Sequence, residues 1–270
     1  MKNIKPFIAS ISTVTVFILL ALASSPPPAP TSQVYNGVFN YAAEKNDVVK
    51  NANKLKFLTD NPNPTIVLRV PHATQQVLEE DKNVKSDKIS TNTNTLYDVN
   101  VYNIIEKELL KGGFTVRDRA LFGKVLEDKS VNDYSKITEL TQTDFILELS
   151  NFQYVPYAFN SFEYTTSGKK GTVNTYTHNC SHSIFLYGLK LEFKLIKVKE
   201  NDFIGSFTYN YSPCSNNACN YLVSCLGENC SEPYILQGNV KINSERLITQ
   251  DIIAHFVKSS SESLVKEIMK

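Results

Sequence analysis

The stretch GLKLEFKLIKV, residues 188–198, alternates from Leu189 to Leu195. Leu189, Leu191, Phe193 and Leu195 fall in one phase, and Lys190, Glu192 and Lys194 in the other. Side chains along a strand point to opposite faces in turn, so this period demands a strand with one face buried and one solvated. Such half-buried strands belong to antiparallel sheets. KEND supplies a turn, and FIGSFTYNY returns with Phe203, Phe207, Tyr209 and Tyr211 expected on one side. TIVLRV, between Pro64 and Pro71, and TDFILELSNFQYV, from Thr143, read as central strands.

Helical periodicity separates these runs. Val101, Ile105 and Leu109, with Ile104 alongside, predict a helix over 96–111, and Gly112 and Gly113 close it by supplying positive φ without penalty. A short helical piece is expected at 134–141. SERLITQDIIAHFVK and SESLVKEIMK predict two helices at the end of the chain. The expected fold is α/β: a mixed, mostly antiparallel sheet flanked by helices, with a cysteine-rich loop insertion at 212–232.

Within ELLKGGFTVRDRALFGKVLED, the Arg117-Asp118-Arg119 triplet lies between a short strand, FTV, and a helix beginning at Arg119. Asp118 is placed to accept from the first free amides of that helix, and its charge suits the positive end of the helix dipole. Arg119 is placed to pair with a carboxylate or a strand-end carbonyl. No nucleophile, perturbed base or phosphate-cradling loop adjoins the triplet, so Asp118, Arg119, Gly112 and Gly113 are read as structural, with no catalytic residue and no cofactor.

The N-terminal part has a different composition. Lys2 and Lys5 precede an uncharged run from Phe7 to Ala23 that ends Ala21-Leu22-Ala23. This is the pattern of a signal peptide. At about 17 residues, the run is also at the short end of a spanning helix, so 1–23 reads as a signal peptide or an N-terminal anchor. Ser25 stands where a lipoprotein cysteine would follow, so no lipid is expected there. Residues 24–60, opening SSPPPAPTSQ, read as a proline-rich and polar tether, and 61–270 as the folded domain. A formal net charge of +1 gives no nucleic-acid footprint, and membrane contact is expected only through an uncleaved N-terminal segment.

Strand, long helix, Gly-Gly, strand ending in an acid–Arg pair, helix and strand is an order that resembles the CsgG-like family of bacterial envelope proteins. That family includes the curli-secretion channel and is similar in its core to the TolB amino-terminal domain. The likeness is carried by residues 108–128, by TDFILEL at 143–149, and by LKLEFKLIKVKENDFIGSFT at 189–208. It implies an exported, non-enzymatic α/β domain of the periplasm or cell envelope. Such a domain works through contacts with other envelope proteins, homo-oligomers included, in assembly or transport of envelope components. The channel members add long spanning hairpins. Here the corresponding segment, 157–183, changes phase in its first arm and is nearly all polar in its second, which is poor for a spanning pair.

Cys214, Cys219, Cys225 and Cys230 are spaced C-x4-C-x5-C-x4-C, and Cys180 stands apart in HNCSH. In an exported chain such cysteines read as disulfides, with the pairing left open by the spacing. An odd count leaves one thiol over. The alternative reading is a metal site. His178, Cys180 and His182 would share a face on a strand, and imidazole with thiolate suits zinc or copper. His72 and His255 are lone histidines without an identifiable partner, and Glu79-Glu80 reads as solvated charge in a polar loop.

Overall fold

The computed structural model describes residues 32–40, 44–51, 63–69, 99–120, 142–214, 218–226, 233–237, 240–242 and 247–269, with Leu55, Asn61, Phe122, Gly123 and Cys230 besides. The leader, His72, Glu79, Glu80 and the helical piece expected at 134–141 lie outside the described residues.

In chain order the elements are β1 (Ser32–Asn40), β2 (Asp47–Lys50), β3 (Thr65–Arg69), α1 (Val99–Lys111), β4 (Thr115–Arg117), β5 (Phe145–Ser167), β6 (Val173–Lys197), β7 (Asp202–Tyr211), β8 (Ala218–Leu226), β9 (Tyr234–Gln237), β10 (Val240–Ile242) and α2 (Gln250–Met269). All the strands join one 10-stranded sheet, ordered β10-β9-β8-β1-β5-β6-β7-β2, with β3 and β4 attached beside β5. Among the described strands, only the β3–β4 and β3–β5 pairings are parallel. The expected mixed, mostly antiparallel sheet flanked by helices is the fold observed.

The spine is the β5–β6 hairpin, with arms of 23 and 25 residues. Near the helices, β3 pairs with the start of β5, and β7 with the end of β6. Far from them, β1 takes the same edge of β5 that β3 holds nearer the helices, and β8, β9 and β10 follow outward. The sheet therefore has a near wing and a far wing that share only the hairpin.

The two wings bury opposite faces. In the near wing Leu189, Leu191, Phe193 and Leu195 are buried, as their alternation demands, against α1 and α2 through Val101, Ile105, Leu109, Ile253, Val257 and Leu264. In the far wing the even residues Ile184 and Leu186 are buried instead, with Phe39, Phe159, Phe162 and Val223. A third small core, Val67, Ile146 and Val198, lies behind β3 and β5 under Phe122 of the helical turn after Arg119.

Four expectations are corrected. First, residues 32–40 and 47–50, read as tether, are strands of the sheet. Tyr35, Gly37 and Phe39 turn one face of β1 to the far core, and their register with Val223, Tyr221 and Cys219 supplies the pairing that local composition does not announce. Second, the cysteine-rich insertion is not loop throughout, because 218–226 forms β8 between β1 and β9. Third, Phe203 is exposed at 54% while Ile204 is buried, because a register shift between Leu195 and Ile196 moves the start of β7 out of phase. Fourth, the two terminal helices are one. Ser261 Oγ donates to the Val257 carbonyl at 2.7 Å and Ser263 Oγ to that of Ser259 at 2.9 Å, so the serine run satisfies itself within the helix. Ser260 and Ser261 are buried and continue the core-facing stripe.

Of the Gly112-Gly113 pair, Gly113 alone takes the positive φ expected of both, and Gly112 has a different role. Gly113, at φ 91°, carries a helix-ending pattern in which Phe114 N donates to Leu109 O and Gly113 N to Leu110 O, each at 3.1 Å. Gly112 lets α1 touch α2: a Cβ there would stand 2.3 Å from Val265 Cγ1. Gly112→Ala is expected to lower the unfolding free energy by about 1–3 kcal/mol. The double variant Gly112→Ala/Val265→Ala should recover most of that loss in urea titration. If the second change makes matters worse, the close approach is not the cause.

Candidate functional site

Among the described residues, two places bring chemistry-bearing side chains together: the acid–Arg joint after β4, and the far core around the cysteines.

At the joint, the backbone leaves β4 at Arg117 and turns helical at Arg119. Asp118 Oδ1 accepts from Ala120 N at 2.7 Å, and the Asp118 carbonyl accepts from Phe122 N at 3.2 Å. This is the capping geometry read from the sequence. Arg119 Nε pairs with Glu106 Oε1 of α1 at 3.1 Å, and the guanidinium lies 4.7 Å over the Tyr102 ring. Arg119 thus ties the new helical turn back to α1. Burial pushes the Glu106 carboxyl above its usual range; Arg119 pulls it back in part, and Asp118 adds to the rise. Desolvation outweighs the ion pair here, so Glu106 depends on Arg119 more than the fold depends on the pair.

In the far wing, Cys214 pairs with Cys219, and Cys225 with Cys230, with Cα–Cα distances of 4.9 and 4.5 Å. Each bridge closes a short loop at one end of β8. Paired cysteines of this kind point to a chain folded outside the reducing cytoplasm. Cys180 is the unbridged cysteine. It is half-buried, and burial pushes its thiol up, which keeps it protonated and a poor nucleophile at neutral pH.

The predicted ligand set His178, Cys180 and His182 does not converge. Between the pairs Phe159–Ile184 and Ser161–Asn179, β6 carries extra residues, so 180–183 leave the regular ladder. His178 faces inward, half-buried, whereas His182 is exposed beside Ser181. The group that does converge is His178 with Cys225 and Cys230, whose ligand atoms all lie within 4.8 Å of one another. The His178 ring sits among Tyr35, Phe162 and Tyr164, with centroids 5.1, 5.4 and 6.3 Å away. Sequence reasoning missed this grouping because its members lie on different strands and loops, with no spacing motif to link them. The available signal was phase. Phe162 is opposite His178 across the hairpin, and both point the way of Phe39 and Val223.

His255 is exposed on α2, between shallow grooves along that helix. Among the described residues no helix is long and apolar enough to cross a membrane.

Two outcomes test these assignments. Arg119→Ala should cost about 1–2 kcal/mol, because it strands a half-buried carboxylate, while Glu106→Gln should stay within about 1 kcal/mol of wild type. A carboxyl raised in the fold contributes most below its unfolded value, and that contribution declines as pH climbs toward the folded value. Removing Arg119 raises Glu106 further, so the Arg119→Ala deficit should shrink from about pH 7 to about pH 4. A deficit that is flat with pH assigns the loss to packing on Tyr102 instead. Separately, alkylation of unreduced, denatured protein should label Cys180 alone. Label on any of the other four cysteines contradicts the pairing.

No family model matches the chain, and no curated protein matches it. Among solved structures, a PDZ domain protein from Parabacteroides distasonis is 10% identical, with TM-score 0.27, over 73% of this chain and 34% of its own. The chain thus spans about a third of that protein. A protein solved as a homolog of a neuraminyllactose-binding hemagglutinin, from Helicobacter pylori, is 10% identical, with TM-score 0.29, over 77% of this chain and 84% of its own. Both scores lie below the level at which a likeness bears on function.

Proposed function

We propose that this chain is a non-enzymatic, CsgG-like protein of the periplasm or cell envelope. It docks on other envelope proteins, or on copies of itself, in the assembly or transport of envelope components. It carries no lipid at Ser25, and its N-terminal segment is a leader or a simple anchor. The Asp118–Arg119 pair serves the fold through a helix cap and an inter-helix tie, which leaves function to surfaces.

The observation that carries this reading is the uncovered apolar side of the far wing. Val34 is 57% exposed, Val173 70% and Phe185 46%. Strand phase puts all three on the side of the sheet opposite the far core. Phe185 shares its phase with Leu189 and Leu191, which the helices cover in the near wing, whereas past Tyr187 no described element covers it. Leu222 of β8, 37% exposed, lies in the same phase as Val34 by register with β1. Exposed apolar groups carried on a rigid sheet and spared from the core suit contact with another macromolecule.

The test is affinity capture from envelope extracts of the native host, comparing wild type with Val34→Asp/Phe185→Asp. The variant should keep the wild-type circular dichroism and lose captured partner by at least about tenfold. Recovery of no partner, together with strictly monomeric behaviour in light scattering, would sink the proposal.

A further inference from the structure

We infer that the reduced form of the Cys225–Cys230 pair, together with His178, is a binding site for one zinc ion. Three observations lead there. The His178 ring nitrogen and the two sulfurs already lie within 4.8 Å of one another. Zn–S bonds of about 2.3 Å and Zn–N bonds of about 2.0 Å set tetrahedral ligand atoms on the order of 3.5–3.8 Å apart, so small side-chain shifts complete the site. Next, His178 Nε2 is buried and has no hydrogen-bond partner among the described residues. A buried, unpartnered nitrogen on a ring that lies beside two sulfurs is an unsatisfied lone pair or N–H, and ligation of the ring by a metal would draw on that capacity. Finally, Cys225 and Cys230 are both fully buried in the far core, against the aromatic shell that holds the imidazole. That shell fixes the ring, as supporting groups do around built metal sites.

The chemistry balances with a dithiol reductant of the thioredoxin class. Its two thiols give two electrons and two protons to the Cys225–Cys230 disulfide, yielding two protein thiols and the reductant's disulfide. Zinc then binds both sulfurs as thiolates, releasing two protons to solvent, and takes one neutral imidazole nitrogen from His178, leaving the fourth position to water. In either state the end of β8 stays fastened to the segment at Cys230: by a covalent bridge when oxidised, by the ion when reduced. The site differs from the H-x-C-x-H set in its ligands and in requiring reduction, and it is independent of the docking face, which lies on the other side of the sheet.

The experiment uses the full chain with Cys214→Ser/Cys219→Ser, so that Cys225–Cys230 is the only bridge. After phosphine reduction, addition of zinc and removal of excess, elemental analysis should find about one zinc per chain, against less than about a tenth without reduction. His178→Gln should weaken zinc binding at least tenfold (~tenfold being the loss of a well-placed ligand contact), while His182→Gln leaves it unchanged. Circular dichroism checks that each variant is folded. As a second readout, zinc should protect Cys225 and Cys230 from alkylation and leave Cys180 reactive. Any of four results overturns the inference: no zinc on the folded, reduced chain; equal zinc retention by His178→Gln; protection centred on Cys180; or a reduced chain that unfolds rather than taking up the ion.

Discussion

Backbone pairing between β5 and β6 runs from Phe145–Lys197 at one end to Ser167–Val173 at the other, and every other described strand hangs on one of these two, directly or through a neighbour. That single ladder lets one sheet serve two cores on opposite faces. Along β6 the odd residues from Leu189 to Leu195 meet the helices, while Ile184 and Leu186, two registers earlier, turn the other way. On β5 the change falls within one regular stretch of ladder, where Phe152 and Tyr154 face the helices and Tyr157 and Phe159 the far core, while the irregularity between Leu149 and Asn151 keeps Leu149 and Phe152 on one face. A bulge of this kind shifts which face a side chain enters without breaking the strand. The far wing is therefore an extension of the same sheet and needs no linker.

The parts of this fold that could be read from the sequence are those whose signal is local. The alternation from Leu189 to Leu195 carries its own register, and the pair Gly112-Gly113 carries its own helix stop. Asp118 could be assigned as a cap because the chain before it reads as strand and the chain after it as helix. Other features depend on partners far along the chain. SQVYNGVFN carries a glycine and scattered polar residues, so its strand character comes from β8, its neighbour in the sheet but far along the chain. The serine run in α2 looks like a break until its hydroxyls are seen to return to the helix's own carbonyls. The His178 grouping was only half readable. Its strand and inward phase follow from the sequence, but the approach of Cys225 and Cys230 is a product of the tertiary fold.

The far core has few large aliphatic residues and many rings, and its small size explains the cysteines. Cys219, Cys225 and Cys230 are buried in it as apolar side chains, while the two bridges shorten the loops at either end of β8. A core this small gains from covalent closure what it lacks in buried area. The same placement puts two sulfurs beside the inward-facing His178. Structural economy and metal-ligand chemistry thus come from the same side chains, on the face turned away from the exposed Phe185 and Val34.

Hydrogen exchange on the intact, oxidised protein probes the continuity of the ladder most directly. Amides of β5 and β6 should be protected along both wings, with peptides spanning 157–164 and 176–186 exchanging as slowly as those covering 145–149 and 193–197. Rapid exchange of the far half at early times, with the near half still protected, would mean that the hairpin ends at the helices and that the second wing is no part of a common sheet.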